Sequence, residues 1–281
     1  MITMHRVFWV SASCAALILS IPSSLCAAGS PPADTARIDL DGNALPSAPN
    51  ATLPREGKPP AILSVTAPNL QLHRTAVKPS KGTILLFPGG GYHLLAVTHE
   101  GLSVADLLNA SGYDAAILEY SVGEGTDIRP KALADAIKAA DLIRNRGAEF
   151  GLTTSSLGVM GFSAGGHLAA RLVRESGVAK PFATITLIYP AYLEGSGGLN
   201  PDVAPPPGIT SRVFVLIGDQ DKPEWVAGAR AYVSAAQENH QEGEFHLLPA
   251  TKHGFGIQPG QVGVVAEWPA LLVKFLAGAK G

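Results

Sequence analysis

The chain has 281 residues, 46% of them apolar, with 21 Lys and Arg against 23 Asp and Glu. That near-balance, with no basic cluster, excludes a surface that tracks phosphates, so no nucleic-acid partner is expected. The two cysteines, Cys14 and Cys26, both stand near the start, and no two histidines have the spacing of a zinc site. Neither disulfide nor metal chemistry is therefore expected, and nothing calls for a cofactor.

In chain order, residues 1–28 open with a short basic region holding His5 and Arg6, continue through an apolar stretch from Val7 to Ile21 and end in Cys26-Ala27-Ala28. This pattern reads as a secretory signal cleaved after Ala28, which sends the protein to the periplasm or outside the cell. The apolar run is short for a membrane span, and Leu25 is too bulky for the position before a lipid-modified cysteine. No membrane attachment is expected once the signal is removed. Residues 29–60 are rich in Pro, Ala and Ser without periodicity and read as an extended leader. One well-buried domain is expected over 61–281.

Within that domain, 61–65 and 69–73 read as edge strands, followed by a buried strand over Thr83-Ile84-Leu85-Leu86-Phe87. A helix at 101–110, a strand at 114–120, a helix at 130–148 and a strand at 157–161 come next. A helix around Arg171, strands at 182–189 and 212–218, a helix at 224–238, a strand at 244–248 and a closing helix at 267–277 complete the series. Such alternation demands right-handed crossovers and a mostly parallel sheet covered by helices on both faces. Ligands on such sheets bind at the carboxyl ends of the strands.

Four segments fall at those ends. Gly161-Phe162-Ser163-Ala164-Gly165 joins the strand-like Leu157-Gly158-Val159-Met160 to a helix-like run, which is the setting of a nucleophile elbow. The turn strains its serine and leaves no room for side chains two positions away on either side, a demand Gly161 and Gly165 meet. The pentad alone is weak, because glycine accounts for 31 of the 281 residues. Its support comes from partners in the right order. Pro88-Gly89-Gly90-Gly91-Tyr92 follows the 83–87 strand, and consecutive glycines let backbone amides turn toward a ligand. The amides of Gly90, Gly91 and Ala164 are the expected oxyanion donors. His253, in the glycine-flanked loop Lys252-His253-Gly254-Phe255-Gly256 beyond a strand end, is the candidate base. The orienting acid falls between them, after the 212–218 strand. A Gly-x-x-Asp pattern counted from Gly218 selects Asp221, while the irregular loop keeps Asp219 in play. His246 reads as a packing residue inside its strand and His167 as a local hydrogen-bonding group. His93 and His99 stand near enough to the glycine loop to touch a substrate.

Together, Pro88-Gly89-Gly90-Gly91-Tyr92 with Leu95 and His99-Glu100-Gly101, then Leu118-Glu119-Tyr120, then 158–169 around the elbow, and finally His253-Gly254-Phe255-Gly256, resemble the secreted bacterial α/β-hydrolases described as acetylxylan-esterase-like or BD-FAE-like. The resemblance runs from about Ala61 to the end. It implies an α/β-hydrolase fold and a serine esterase that cleaves short-chain, above all acetyl, esters on plant cell-wall carbohydrates. The sequence departs from the family at Ser121, where an arginine is usual, and at Asp219-Gln220-Asp221-Lys222-Pro223, where a more regular Asp-Asp loop is usual. These departures bear on substrate contacts and on the choice of acid. Glu100 is expected to serve structure, either anchoring a loop against the oxyanion glycines or capping the helix near Gly101. Tyr92, His93 and Trp225 are the expected substrate-binding residues, because aromatic faces stack on sugar rings. A small-molecule or oligosaccharide ester is thus the expected partner. A peptidase of prolyl-oligopeptidase type shares the triad order but needs a propeller domain, and a non-catalytic binding protein has no reason to keep all three triad types.

Overall fold

The computed structural model describes residues 34–125 and 128–278, so the expected signal segment lies outside the described residues. In chain order the strands and helices are β1 (Asp34–Asp39), β2 (Thr52–Arg55), β3 (Lys58–Ile62), β4 (Asn69–Arg74), β5 (Thr83–Phe87), α1 (Ser103–Ala110) and β6 (Asp114–Glu119). They continue with α2 (Ile128–Arg146), β7 (Leu157–Phe162), α3 (Ala164–Ser176), β8 (Thr184–Ile188), β9 (Glu194–Gly195) and β10 (Gly198–Leu199). The last four are β11 (Arg212–Gly218), α4 (Pro223–Glu238), β12 (Gly243–Leu248) and α5 (Trp268–Leu276).

Eight strands form the central sheet in the order β1-β4-β6-β5-β7-β8-β11-β12. From β6 to β12 every pairing is parallel, and β1 and β4 run antiparallel at one side. The parallel strands β5, β6 and β7 are buried along their whole length, as continuous apolar runs between two helical layers must be. Right-handed crossovers fix the layers. The chain moves one way from β5 through α1 to β6, then reverses to pass through α2 to β7 and onward, so α1 lies on one face and α2, α3 and α4 on the other. The reversal places the carboxyl ends of β5 and β7 side by side at a switch point, where a crevice opens.

Two expectations are corrected. The leader expected over 29–60 joins the sheet from Asp34: β1 pairs with β4 from Asp34 opposite Arg74 to Asp39 opposite Asn69. Its short Thr-Ala-Arg-Ile stretch is masked by Pro-rich flanks, and its anchor is remote in sequence. Arg37 pairs with the buried Glu119, which also accepts from Asn50 Nδ2 at 2.7 Å and Asn69 Nδ2 at 2.8 Å. The strand expected at 61–65 is displaced to β3, which pairs with β2 in a separate two-stranded sheet. Pro59 and Pro60 lack the amides a central ladder needs.

Candidate active site

Ser163 stands between β7 and α3 with φ 50° and ψ −118°. A side-chain carbon at Gly161 would lie 2.2 Å from the Gly165 carbonyl oxygen, and one at Gly165 2.2 Å from that of Phe87, so the elbow admits only glycine at both positions. The Ser163 amide donates to Ile188 O at 3.0 Å, and Ser163 O accepts from Ala191 N at 3.1 Å. Its hydroxyl lies 2.8 Å from His253 Nε2. His253 Nδ1 lies 2.6 Å from Asp221 Oδ2, and Asp221 Oδ1 accepts the Lys222 amide at 2.8 Å. The structure therefore brings Ser163, His253 and Asp221 into one line. Asp219 is exposed and accepts from Thr251 N at 3.3 Å, with no contact to the imidazole. The Asp221 side chain is almost fully buried whereas that of His253 is 30% exposed, so the acid is dry and the imidazole meets solvent.

The β5 loop closes over the serine. A side-chain carbon at Gly89 would lie 2.9 Å from Ser163 Cβ, which is how closely the loop backbone approaches. Among the described residues no acceptor is taken by the amides of Gly90 and Gly91. Ala164 is the first residue of α3, where amides have no intrahelical acceptor. The Gly90 and Gly91 amides thus belong to a loop that reaches Ser163, and the Ala164 amide follows the serine directly in the chain.

Glu100, buried in a π-helical turn over Thr98–Leu102, holds that loop. Its Oε2 accepts the Gly89 amide at 2.7 Å and its Oε1 the Tyr189 hydroxyl at 2.8 Å. The same hydroxyl accepts the Gly256 amide at 2.9 Å, and the Tyr189 ring meets that of His253 edge-on at 5.0 Å. Burial pushes the Glu100 carboxyl up, opposed by Tyr189, Gly89 and the nearby His253. Of the two expected structural roles, the observed one is the anchor on the glycine loop. Tyr189 was not anticipated; its place at a strand's carboxyl end, after Leu187-Ile188, was the available signal.

The expected substrate-binding residues separate. Trp225 lies on α4 with its ring 4.8 Å from that of His253 and 5.7 Å from that of Tyr192, so it walls the site. Tyr92 is corrected: its φ of 69° turns it beneath the loop, where it is buried and its hydroxyl meets His167 Nδ1 at 2.7 Å. His167 therefore bonds across 75 residues and not locally. His93 is exposed, 3.2 Å from Glu124 Oε1, and touches none of the three aligned side chains. His99 is buried beside Glu100, away from solvent. Ser121, where the family carries arginine, donates through its amide and hydroxyl to Asp135 Oδ2 at 2.9 and 2.6 Å and so fixes the start of the loop to α2. Two open grooves flank the line, one of about 800 Å³ along α4 outside Asp221 and one of about 550 Å³ bordered by His253, Phe255, Gln258 and Val262. Among the described residues no three His, Cys, Asp or Glu side chains converge to hold a metal ion.

Fold and elbow define an α/β-hydrolase. A family model described as BD-FAE matches residues 71–180. The acetylxylan esterase of Xylanibacter ruminicola is 27% identical over 203 residues, 63% of this chain and 42% of that protein. Endo-1,4-beta-xylanase B of Butyrivibrio fibrisolvens is 30% identical over 148 residues, 51% of this chain and 22% of that protein. The chain thus spans less than half the length of either. Among solved structures, the acetyl ester-xyloside bifunctional hydrolase of Caldicellulosiruptor lactoaceticus superposes with a TM-score of 0.66 at 25% identity, covering 87% of this chain and 97% of that one. The chain therefore has the α/β-hydrolase fold and is similar, over part of its length, to the BD-FAE family and to an acetylxylan esterase.

Two outcomes follow from this geometry. Burial, with Arg37 nearby, holds the His73 imidazole down to about 4. Burial, with Arg129 and Arg171, holds that of His167 down to about 3. Both are depressed below 6.5, so the unfolded chain takes up protons that the folded one refuses. Their stabilisation is complete above pH 6.5 and is lost as pH falls through 6.5 toward 4, by about 1.4 kcal/mol per pH unit for each. Guanidinium unfolding between pH 7 and 5 should show this fall, and His167→Asn should make it shallower; equal slopes would mean that His167 is charged in the fold. Tyr189→Phe removes the hydroxyl shared by Glu100 and Gly256. It should cost about 1–3 kcal/mol of stability and lower kcat roughly ten- to hundredfold while KM changes little. Unchanged kcat would show that the two loops hold themselves.

Proposed function

We propose that the protein is a secreted or periplasmic serine esterase that hydrolyses short-chain, chiefly acetyl, esters on plant cell-wall carbohydrates. The observation that carries the reading is the hydrogen-bonded line Ser163 Oγ, His253 Nε2, His253 Nδ1, Asp221 Oδ2 at 2.8 and 2.6 Å. A serine hydroxyl is a poor nucleophile until a base takes its proton. In this reading Ser163 Oγ attacks the ester carbonyl as His253 Nε2 accepts its proton, and Asp221 holds the Nδ1–H tautomer and the imidazolium that forms. The tetrahedral oxyanion points at the amides of Gly90, Gly91 and Ala164. Collapse expels the alcohol, which takes the proton from His253, and leaves an acyl group on Ser163. A water activated by His253 then releases the acid. Trp225 offers a stacking face to the alcohol half.

Ser163→Ala should remove labelling by a fluorophosphonate probe and lower turnover at least about a thousandfold. Asp221→Asn should lower kcat by a similar factor without unfolding the protein, because the wrong tautomer cannot accept the serine proton. The same change at Asp219 should be mild. Probe labelling at another serine, or a reversed order of the two aspartates, would redraw the mechanism.

The acyl half is expected to be small. The 194–210 segment, rich in Gly and Pro, packs its two short strands against α4. Each methylene of a long acyl chain needs apolar cover worth about 0.8 kcal/mol. Catalytic efficiency on nitrophenyl esters should therefore peak at acetate to butyrate, and acetate should be freed from acetylated xylo-oligosaccharides. Efficiency climbing steadily to octanoate, with the oligosaccharides untouched, would refute this substrate class.

A further inference from the structure

One edge of the site carries two arginines that face no acid among the described residues. Arg129, in the first turn of α2, rests its guanidinium 4.5 Å from the centre of the Tyr192 ring and 5.5 Å from that of Tyr92. Arg171, on α3 two turns beyond Ser163, is half-buried, and its Nε is enclosed without a hydrogen-bond partner. Among the described residues neither has a carboxylate within ion-pair distance, although Arg37, Arg74, Arg144, Arg146 and Arg212 each face one. Tyr92, whose ring lies under Arg129, bonds His167, and His167 stands one turn before Arg171 on α3, so the two positive charges share one neighbourhood. This edge is continuous with the reacting groups: Tyr192 lies 5.7 Å from Trp225, and Trp225 4.8 Å from His253.

An arginine laid on aromatic faces keeps the edge of its planar fork free, the edge that binds a carboxylate through two parallel hydrogen bonds. Two guanidinium groups that share one neighbourhood without an acid repel each other, a cost that a bound anion offsets. We propose that Arg129 and Arg171 form a carboxylate-recognition edge that selects esters carrying an acidic group, either a uronic acid on the alcohol half or a second carboxyl on the acyl half. The proposal rests on the serine-esterase reading above and narrows its substrate class.

The test compares kcat/KM of the intact enzyme on matched pairs at low salt. One pair is the monoacetylated methyl glycosides of galacturonic acid and galactose, and the other is nitrophenyl hemisuccinate and nitrophenyl butyrate. The acidic member of at least one pair should be favoured about tenfold or more, and about 0.5 M salt should shrink the ratio. Preference in the first pair assigns the carboxylate to the alcohol half, and preference in the second to the acyl half. R129Q and R171Q should each lower the ratio, and the double variant should bring it near one. Free galacturonate should inhibit wild-type hydrolysis of nitrophenyl acetate more strongly than galactose does, a readout that needs no variant to fold. Ratios near one in both pairs, or a preference that survives the double variant, would overturn the proposal while leaving the esterase reading intact. Absence of turnover on every ester would overturn the esterase reading itself.

Discussion

A single buried carboxylate fixes the relative positions of the loops on which the site depends. Glu100 takes the Gly89 amide on one oxygen and the Tyr189 hydroxyl on the other, and that hydroxyl takes the Gly256 amide. The three partners belong to loops beyond β5, β8 and β12, so one side chain sets the glycine amides and the His253 loop against each other. Withdrawing a carboxylate from water costs several kcal/mol. Two short donors offset part of that cost, and they do so only while the loops keep their places. The turn bearing Glu100 is π-helical, a form that proteins keep where a side chain must be aimed.

The elbow supplies the complementary strain. A non-glycine residue at the Ser163 φ and ψ costs about 1–3 kcal/mol and persists only where its surroundings over-determine it. The bonds to Ile188 and Ala191 do so from β8 and the loop beyond it, and the close-packed glycines two positions away leave no relaxed alternative. In exchange the serine projects above the sheet at the amino end of α3, where the first amides and the helix dipole favour developing negative charge. Sheet topology, elbow strain and the electrostatics of the helix end are thus consequences of one placement at the switch point.

What the sequence reveals and what it hides divide by range. Gly161 and Gly165 are legible because the turn's sterics act within five residues, and Asp221 and His253 because strand ends mark where loops can converge. The parallel core is legible in the apolar runs 83–87 and 157–162. The course of β1 is not, since its anchor Arg37 meets Glu119 from 82 residues away. Nor is the fate of Tyr92: a tyrosine after three glycines suggests an exposed stacking face, yet its positive φ swings it under the loop toward His167. The neighbourhood that Arg129 and Arg171 share is equally hidden, because it arises only when α2 packs against α3.

These charges are layered in a way that suits the chemistry. Asp221 lies buried against His253 Nδ1, where it would stabilise an imidazolium from within. The arginines stand at the outer edge, with the Tyr192 and Trp225 rings between Arg129 and the imidazole. A guanidinium in direct contact with His253 would oppose its protonation. Set beyond two aromatic rings, it could attract an anion while the buried Asp221 still dominates at the imidazole, because Coulomb energy falls with distance and solvent screens the exposed partner first. On the proposed reading the aromatic ladder would do two things at once: offer a face to the substrate and separate the charge that recruits from the charge that reacts.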